Sequence, residues 1–164
     1  ECWEIALKSH NTPSVIVLSR QKVPYVNPDN SKKNKCENGA YTINITSHES
    51  NVTLVASGTE VELALKVQEK LRENNIHSKV ISMPCMELFD KQSEDYKKDL
   101  MEENSLVVTL EAGSVTHWQK YTKDKDLNIG IDQFGESAPY KEVYDHFDLT
   151  EDKITNLIQK KLRK

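Results

Sequence analysis

The sequence predicts an α/β protein, three layers deep (α/β/α), in which helices cover both faces of a mostly parallel sheet. Two observations carry this. Short, largely apolar and partly β-branched runs recur at residues 52–56, 78–83 and 106–110, each suited to a strand buried on both faces. Stretches of helical periodicity or high charge separate them, and strands joined through helices run parallel with right-handed crossovers. A fourth run, residues 40–45 (AYTINI), enters without a crossover helix, so it is the one strand free to lie antiparallel at an edge.

Residues 1–9 (ECWEIALKS) place Cys2, Ile5 and Ala6 on one side, with Trp3 and Leu7 adjacent, the pattern of the last turns of a helix. Pro13 ends it, because the residue before proline avoids the helical region. Residues 14–19 (SVIVLS) are an unbroken apolar run, expected to be a buried strand, and Arg20 follows directly at its end. Residues 21–38 then turn polar and lysine-bearing, with Pro24 and Pro28 and no apolar period, as a linker requires. One helix and one strand cannot bury a core by themselves. Residues 1–38 are therefore expected to be the tail of a preceding domain plus its linker, and residues 39–164 a domain in their own right. The chain begins at Glu1 inside a helical pattern and reads as a piece of a longer protein.

The second unit opens at the Asn38-Gly39 turn. After the 40–45 strand, residues 51–74 (NVTLVASGTEVELALKVQEKLREN) give a strand, a break at Gly58 and a helix. Thr59 with Glu62, or Ser57 with Glu60, has the spacing of a capping box. Val61, Ala64, Leu65, Gln68 and Leu71 follow at helical spacing, with Val67 beside them. Next come the strand at 78–83, a short charged helix over 93–102 with Tyr96 and Leu100 four apart, the strand at 106–110 and a helical segment over 115–121. A last strand is expected at 128–132. Pro139 suits the first turn of a helix running to Phe147. Thr150 is placed to cap the final helix, with Glu151 and Asp152 at its positive end, lysines and Arg163 at its negative end, and a stripe of Ile154, Leu157, Ile158 and Leu162.

Composition narrows the function classes. The 164 residues carry a net charge of −4 and a pI of about 5.8, so no basic field draws the chain to nucleic acid. No apolar run approaches a membrane span and no signal peptide is evident, which points to the cytoplasm. Cys2, Cys36 and Cys85 are an odd, widely spaced set without a C-x-x-C pair, expected to stay reduced and to hold no metal. Histidines 10, 48, 77, 117 and 146 have no second ligand at metal-binding spacing.

Candidate chemistry is sparse. The strand–turn–helix at Gly58 invites an anion at the helix start, yet one glycine stands where a dinucleotide fingerprint has three, and Glu60 and Glu62 oppose a phosphate. Ser137 lacks the Gly-x-Ser-x-Gly elbow. Glu111 and Glu136 follow strands and could serve as a carboxylate pair, although caps or interface acids account for them as well. Trp118, Tyr121 and Phe134 read as a ligand wall, as core or as contact with a partner chain, the last preferred. Arg20 stands at the carboxyl end of its strand, where it could clamp a phosphate or carboxylate, or pair with a neighbouring acid.

A combination of motifs then points to a family. Thr12-Pro13-Ser14 through Ser19-Arg20-Gln21, Ala56-Ser57-Gly58-Thr59-Glu60, Val80-Ile81-Ser82-Met83-Pro84, Phe89-Asp90-Lys91-Gln92, Glu111-Ala112-Gly113, Trp118-x-Lys120-Tyr121 and Phe134-Gly135-Glu136-Ser137-Ala138-Pro139 resemble, in order and over nearly the whole chain, the C-terminal portion of transketolase. The resemblance implies that residues 1–38 close the pyrimidine-binding domain and that residues 39–164 are the C-terminal domain, with a five-stranded mixed sheet and one antiparallel edge. It implies a homodimeric enzyme, dependent on thiamine diphosphate and a divalent metal (Mg or Ca), that moves a two-carbon ketol unit between sugar phosphates in the pentose phosphate pathway.

Of the family's functional residues, Arg20 alone is carried over, as the arginine that contacts the sugar phosphate. Lys22, Val23 and the lysine-rich linker depart from the family pattern. No catalytic, cofactor or metal residue is expected in this stretch, which on its own would be structural and silent. Deoxyxylulose-phosphate synthase and the 2-oxo acid dehydrogenase β subunit share such a domain, and a freestanding interaction or anion-binding domain is a reading from another class.

Overall fold

In a computed structural model, described over residues 1–26, 33–47, 49–102 and 104–163, the strands β1 (Tyr41–Ile45), β2 (Val52–Ala56), β3 (Ser78–Ser82), β4 (Leu106–Leu110) and β5 (Leu127–Ile129) build one sheet in the order β1-β3-β2-β4-β5. The pairs β2–β3, β2–β4 and β4–β5 are parallel, and β1 alone runs antiparallel, against β3. Every residue of β2, β3 and β4 is buried, as their apolar runs require. β5 covers 127–129 where 128–132 was expected, because Gly130 already turns the chain. A Cβ on Gly130 would stand 2.4 Å from the Val115 side chain and 2.6 Å from the Gly113 carbonyl.

The two faces of the sheet make two cores. On one, Leu54, Ala56, Val80, Val108 and Leu110 meet α2 (Glu60–Glu73) and α6 (Glu151–Leu162). On the other, Val55, Ile81 and Val107 meet Phe89 of α3 (Met86–Asp90), Leu100 of α4 (Glu94–Met101) and Trp118 of a 3-10 turn, Thr116–Tyr121. Trp118 is fully buried, so the ring expected at a partner contact is instead core, edge-on to Tyr121 at 6.3 Å. Phe134, by contrast, is 98% exposed. Tyr96 reaches from α4 to donate to the Ala40 carbonyl at 2.7 Å, which ties α4 to the entry of β1.

Several local expectations are corrected. Thr59 precedes α2 in a helical conformation (φ −66, ψ −28) and makes no side-chain cap. Gly58, at φ +53, has already made the turn, and the acids of both supposed capping boxes are engaged elsewhere: Glu62 pairs with Lys66 at 2.7 Å, and Glu60 bonds Thr59 and Tyr144. Thr150 lacks a side-chain cap as well. In α6, Ile154, Thr155 and Ile158 are buried, while Leu157 and Leu162 lie at the rim, 45% and 41% exposed.

The apolar run at 14–19 is the largest departure. It forms no strand, and Val15, Val17 and Leu18 are 88%, 90% and 74% exposed. It joins none of the ladders of the sheet among the described residues. Apolar patterning says that a segment needs cover, not what supplies it. α1 (Cys2–Lys8) likewise buries none of its residues fully. Of the expected linker 21–38, residues 27–32 fall outside the described residues, as does His48; Lys35–Asn38 forms a 3-10 turn with Cys36 buried.

Candidate functional site at the carboxyl ends of the strands

Parallel strands of an open α/β sheet leave a crevice beyond their carboxyl ends. Here the turn after β2, the segment after β4, the 131–139 loop after β5 and α5 (Tyr140–His146) enclose a cleft of about 420 Å³. Glu60, Glu111, Glu136, Tyr140 and Tyr144 line it, and Gln21 approaches from the N-terminal segment.

Glu60 sits at the first turn of α2, 5% exposed. Its carboxylate accepts hydrogen bonds from Thr59 Oγ1 at 2.7 Å and from the Tyr144 hydroxyl. The helix start favours this charge, and the two donors offset the cost of burying it. Burial first, and the Glu60 carboxylate beside it second, hold the Tyr144 hydroxyl well above the ordinary phenol range. Glu111 directly follows β4; its Oε2 accepts from Trp118 Nε1 at 3.2 Å and lies 3.4 Å from His117 Nε2. Glu136 and Ser137 are exposed in the loop after β5.

The sequence-predicted carboxylates Glu111 and Glu136 therefore do share one cleft, together with Glu60, which sequence reasoning treated as a cap. The sole signal for Glu60 was its place one residue after the Gly58-Thr59 turn. Three carboxylates around one crevice repel a diphosphate, so these residues do not fit a diphosphate-bearing cofactor. Among the described residues no three His, Cys, Asp or Glu side chains converge to hold a metal ion. Arg20 is exposed and forms no ion pair among the described residues, so the salt-bridge reading of it is not what is seen. In sequence it directly precedes Gln21, which lines the cleft.

The comparisons with known proteins decide the family. The family model for the transketolase-like C-terminal domain matches residues 39–150. The chain belongs to the transketolase C-terminal domain family. The transketolase of Aquifex aeolicus is 37% identical over 97% of this chain and 23% of its own length, and the chloroplastic transketolase of Solanum tuberosum 35% over 93% and 21%. In structure, a transketolase mutant from Pichia stipitis superposes with a TM-score of 0.89 at 27% identity, over 99% of this chain and 23% of that one. The transketolase of Campylobacter jejuni superposes at 0.71, with 33% identity over 80% and 20%. The chain thus spans about a quarter of the length of the transketolases it matches. Their similarity carries the mixed sheet with its antiparallel edge strand, and it extends on both sides of residue 39. No helix among the described residues is long and apolar enough to cross a membrane.

Proposed function

We propose that these residues serve as the C-terminal part of a thiamine-diphosphate-dependent transketolase, a cytoplasmic homodimer that transfers a two-carbon ketol unit from a ketose phosphate to an aldose phosphate in the pentose phosphate pathway. The observation that carries this reading is the alignment of nearly the whole chain, at 37% identity, with a transketolase. A structural neighbour from Pichia stipitis, 28% identical with a TM-score of 0.89, is described as a complex with fructose 6-phosphate, which supports sugar phosphates as the substrate class. The relatives named above are transketolases, which favours this reading over the related thiamine enzymes.

In this proposal residues 1–38 close the preceding domain and its linker, and residues 39–164 form the C-terminal domain. The exposed apolar side chains at Val15, Val17 and Leu18 support the first assignment, because a face of that kind needs cover from elsewhere. Thiamine diphosphate and its metal belong to other parts of the enzyme, in keeping with the carboxylate-lined cleft here. Arg20 contacts the substrate phosphate through charge-assisted hydrogen bonds. Its exposed guanidinium, with no carboxylate partner among the described residues, supports that role.

The test is Arg20→Ala in the full-length enzyme. Losing a phosphate contact raises KM for phosphorylated sugars well beyond any change for their unphosphorylated counterparts. Equal effects on both remove Arg20 from the phosphate site, and absence of ketol transfer by the intact enzyme overturns the functional reading itself.

A further inference from the structure

The two faces of the sheet are covered unequally. One carries α2 and α6, of 14 and 12 residues; the other carries α3, α4 and the 3-10 turn Thr116–Tyr121, of 5, 8 and 6 residues. On this second face a groove of about 390 Å³ stays open between α4 and the chain from residue 120 to 126. Met101 and the Tyr121 ring, both half-buried, form its apolar floor and pack against the core that holds Phe89 and Val107.

The rim is basic, in a chain whose net charge is −4. Five lysines and four acids line the groove, and all four acids are already engaged. Asp90 accepts from Lys120 and Tyr121, and Glu94 pairs with Lys97 at 3.0 Å. Glu102 pairs at 2.7 Å with Lys79, a buried lysine of β3 that does not line the groove. Asp126 accepts from the backbone N–H groups of Val107 and Lys123 at 2.9 and 2.8 Å. Lys98 shares the groove-facing side of α4 with Lys97 and Met101. It is exposed, and its ammonium makes no hydrogen bond or ion pair among the described residues.

We infer that this groove is a binding site for a small aromatic anion: a flat ring laid against Met101 and Tyr121, bearing a phosphate or carboxylate that meets the ammonium of Lys98. The volume and the apolar floor with a few charged groups suit a small molecule. A thioether and an aromatic edge both favour a ring over an aliphatic chain. Lysine is a point charge on a flexible stem, so it takes either anion without the fixed fork that arginine imposes. None of the lining residues belongs to residues 1–38, whereas Gln21 of that segment reaches the other cleft, so the groove lies apart from where the preceding domain is assigned to join. The site stands on its own geometry and does not depend on the functional reading.

The experiment is equilibrium dialysis of naphthyl phosphate and of naphthoate against the full-length protein with thiamine diphosphate and magnesium present. At least one of the two is expected to bind saturably, and the tighter one identifies the anion. Naphthol, which lacks the charge, and inorganic phosphate, which lacks the ring, each bind at least about tenfold more weakly. Lys98→Glu, on an exposed helix position that leaves the fold intact, weakens the aromatic anion by at least about tenfold, while Lys160→Glu, on the opposite face of the sheet, leaves it unchanged. Arg20 does not line this groove, so the Lys98 variant reads this site and not the one assigned to sugar phosphate. Failure of both naphthyl anions to bind overturns the proposal, as does binding that Lys98→Glu leaves at the wild-type affinity.

Discussion

The indole nitrogen of Trp118 donates to the Glu111 carboxylate at 3.2 Å, so the acid that closes β4 is bound to a ring with no exposed surface. Truncating Glu111 to Ala leaves that N–H buried and unpaired, which costs about 1–3 kcal/mol. Glu111→Gln keeps an acceptor oxygen in place and costs under about 1 kcal/mol. Urea unfolding of the two variants, with the slope held constant, reads the difference. Equal midpoints for the two would mean that the indole does not depend on Glu111, and would free that carboxylate for a role in the cleft.

Two glycines with positive φ separate steric need from conformational need. At Gly39 (φ +77) an added Cβ would lie 2.1 Å from the Phe89 nitrogen and 2.4 Å from the Cys85 carbonyl. Both are backbone atoms, one within α3 and one just before it, and the Cys85 N–H donates to the Gly39 carbonyl at 3.1 Å. Gly58 (φ +53) faces open space. Gly58→Ala is expected to cost about 1 kcal/mol, the left-handed penalty alone, and Gly39→Ala about 2–4 kcal/mol, because overpacking adds to it. Denaturant midpoints measure both, and a Gly39 variant as stable as the Gly58 one would mean that the α3 entry yields freely.

The central layer was legible because β2, β3 and β4 are buried on both faces, and burial on both faces writes itself as a short apolar run. The antiparallel edge was legible from the missing crossover before residue 40. Residues 14–19 carried the same signal and gave no strand, since an apolar run records a demand for cover without naming the edge that meets it. Thr59 looked like a cap because capping is read from spacing, whereas the backbone at Gly58 decides which residue is already helical. At the site, Glu111 and Glu136 could be placed by their position after strands. Glu60 could not, for its partner Tyr144 lies 84 residues away in an element whose packing no local pattern encodes.

Asp90, at the end of α3, accepts from Lys120 Nζ at 2.5 Å and from the Tyr121 hydroxyl at 2.8 Å. The hydrogen bond from Lys120 is the largest influence; with Tyr121 helping and partial desolvation opposing, the Asp90 carboxyl is held below the ordinary aspartate value. A carboxyl depressed on folding contributes stability that is present above its unfolded pKa and is lost as pH falls through the folded one. The contribution is small, under about 1 kcal/mol, because the two side chains are 42% and 51% exposed and water screens them. Two measurements follow. Carbon-detected NMR titration should place the Asp90 carboxyl below the ordinary range, moving toward it as salt is raised. Asp90→Asn should lower stability at neutral pH while leaving it unchanged at a pH below the folded pKa, so that its acid limb is shallower than the wild type's. An Asp90 that titrates at the ordinary value in low salt would show that the clasp between α3 and the 3-10 turn is open in solution.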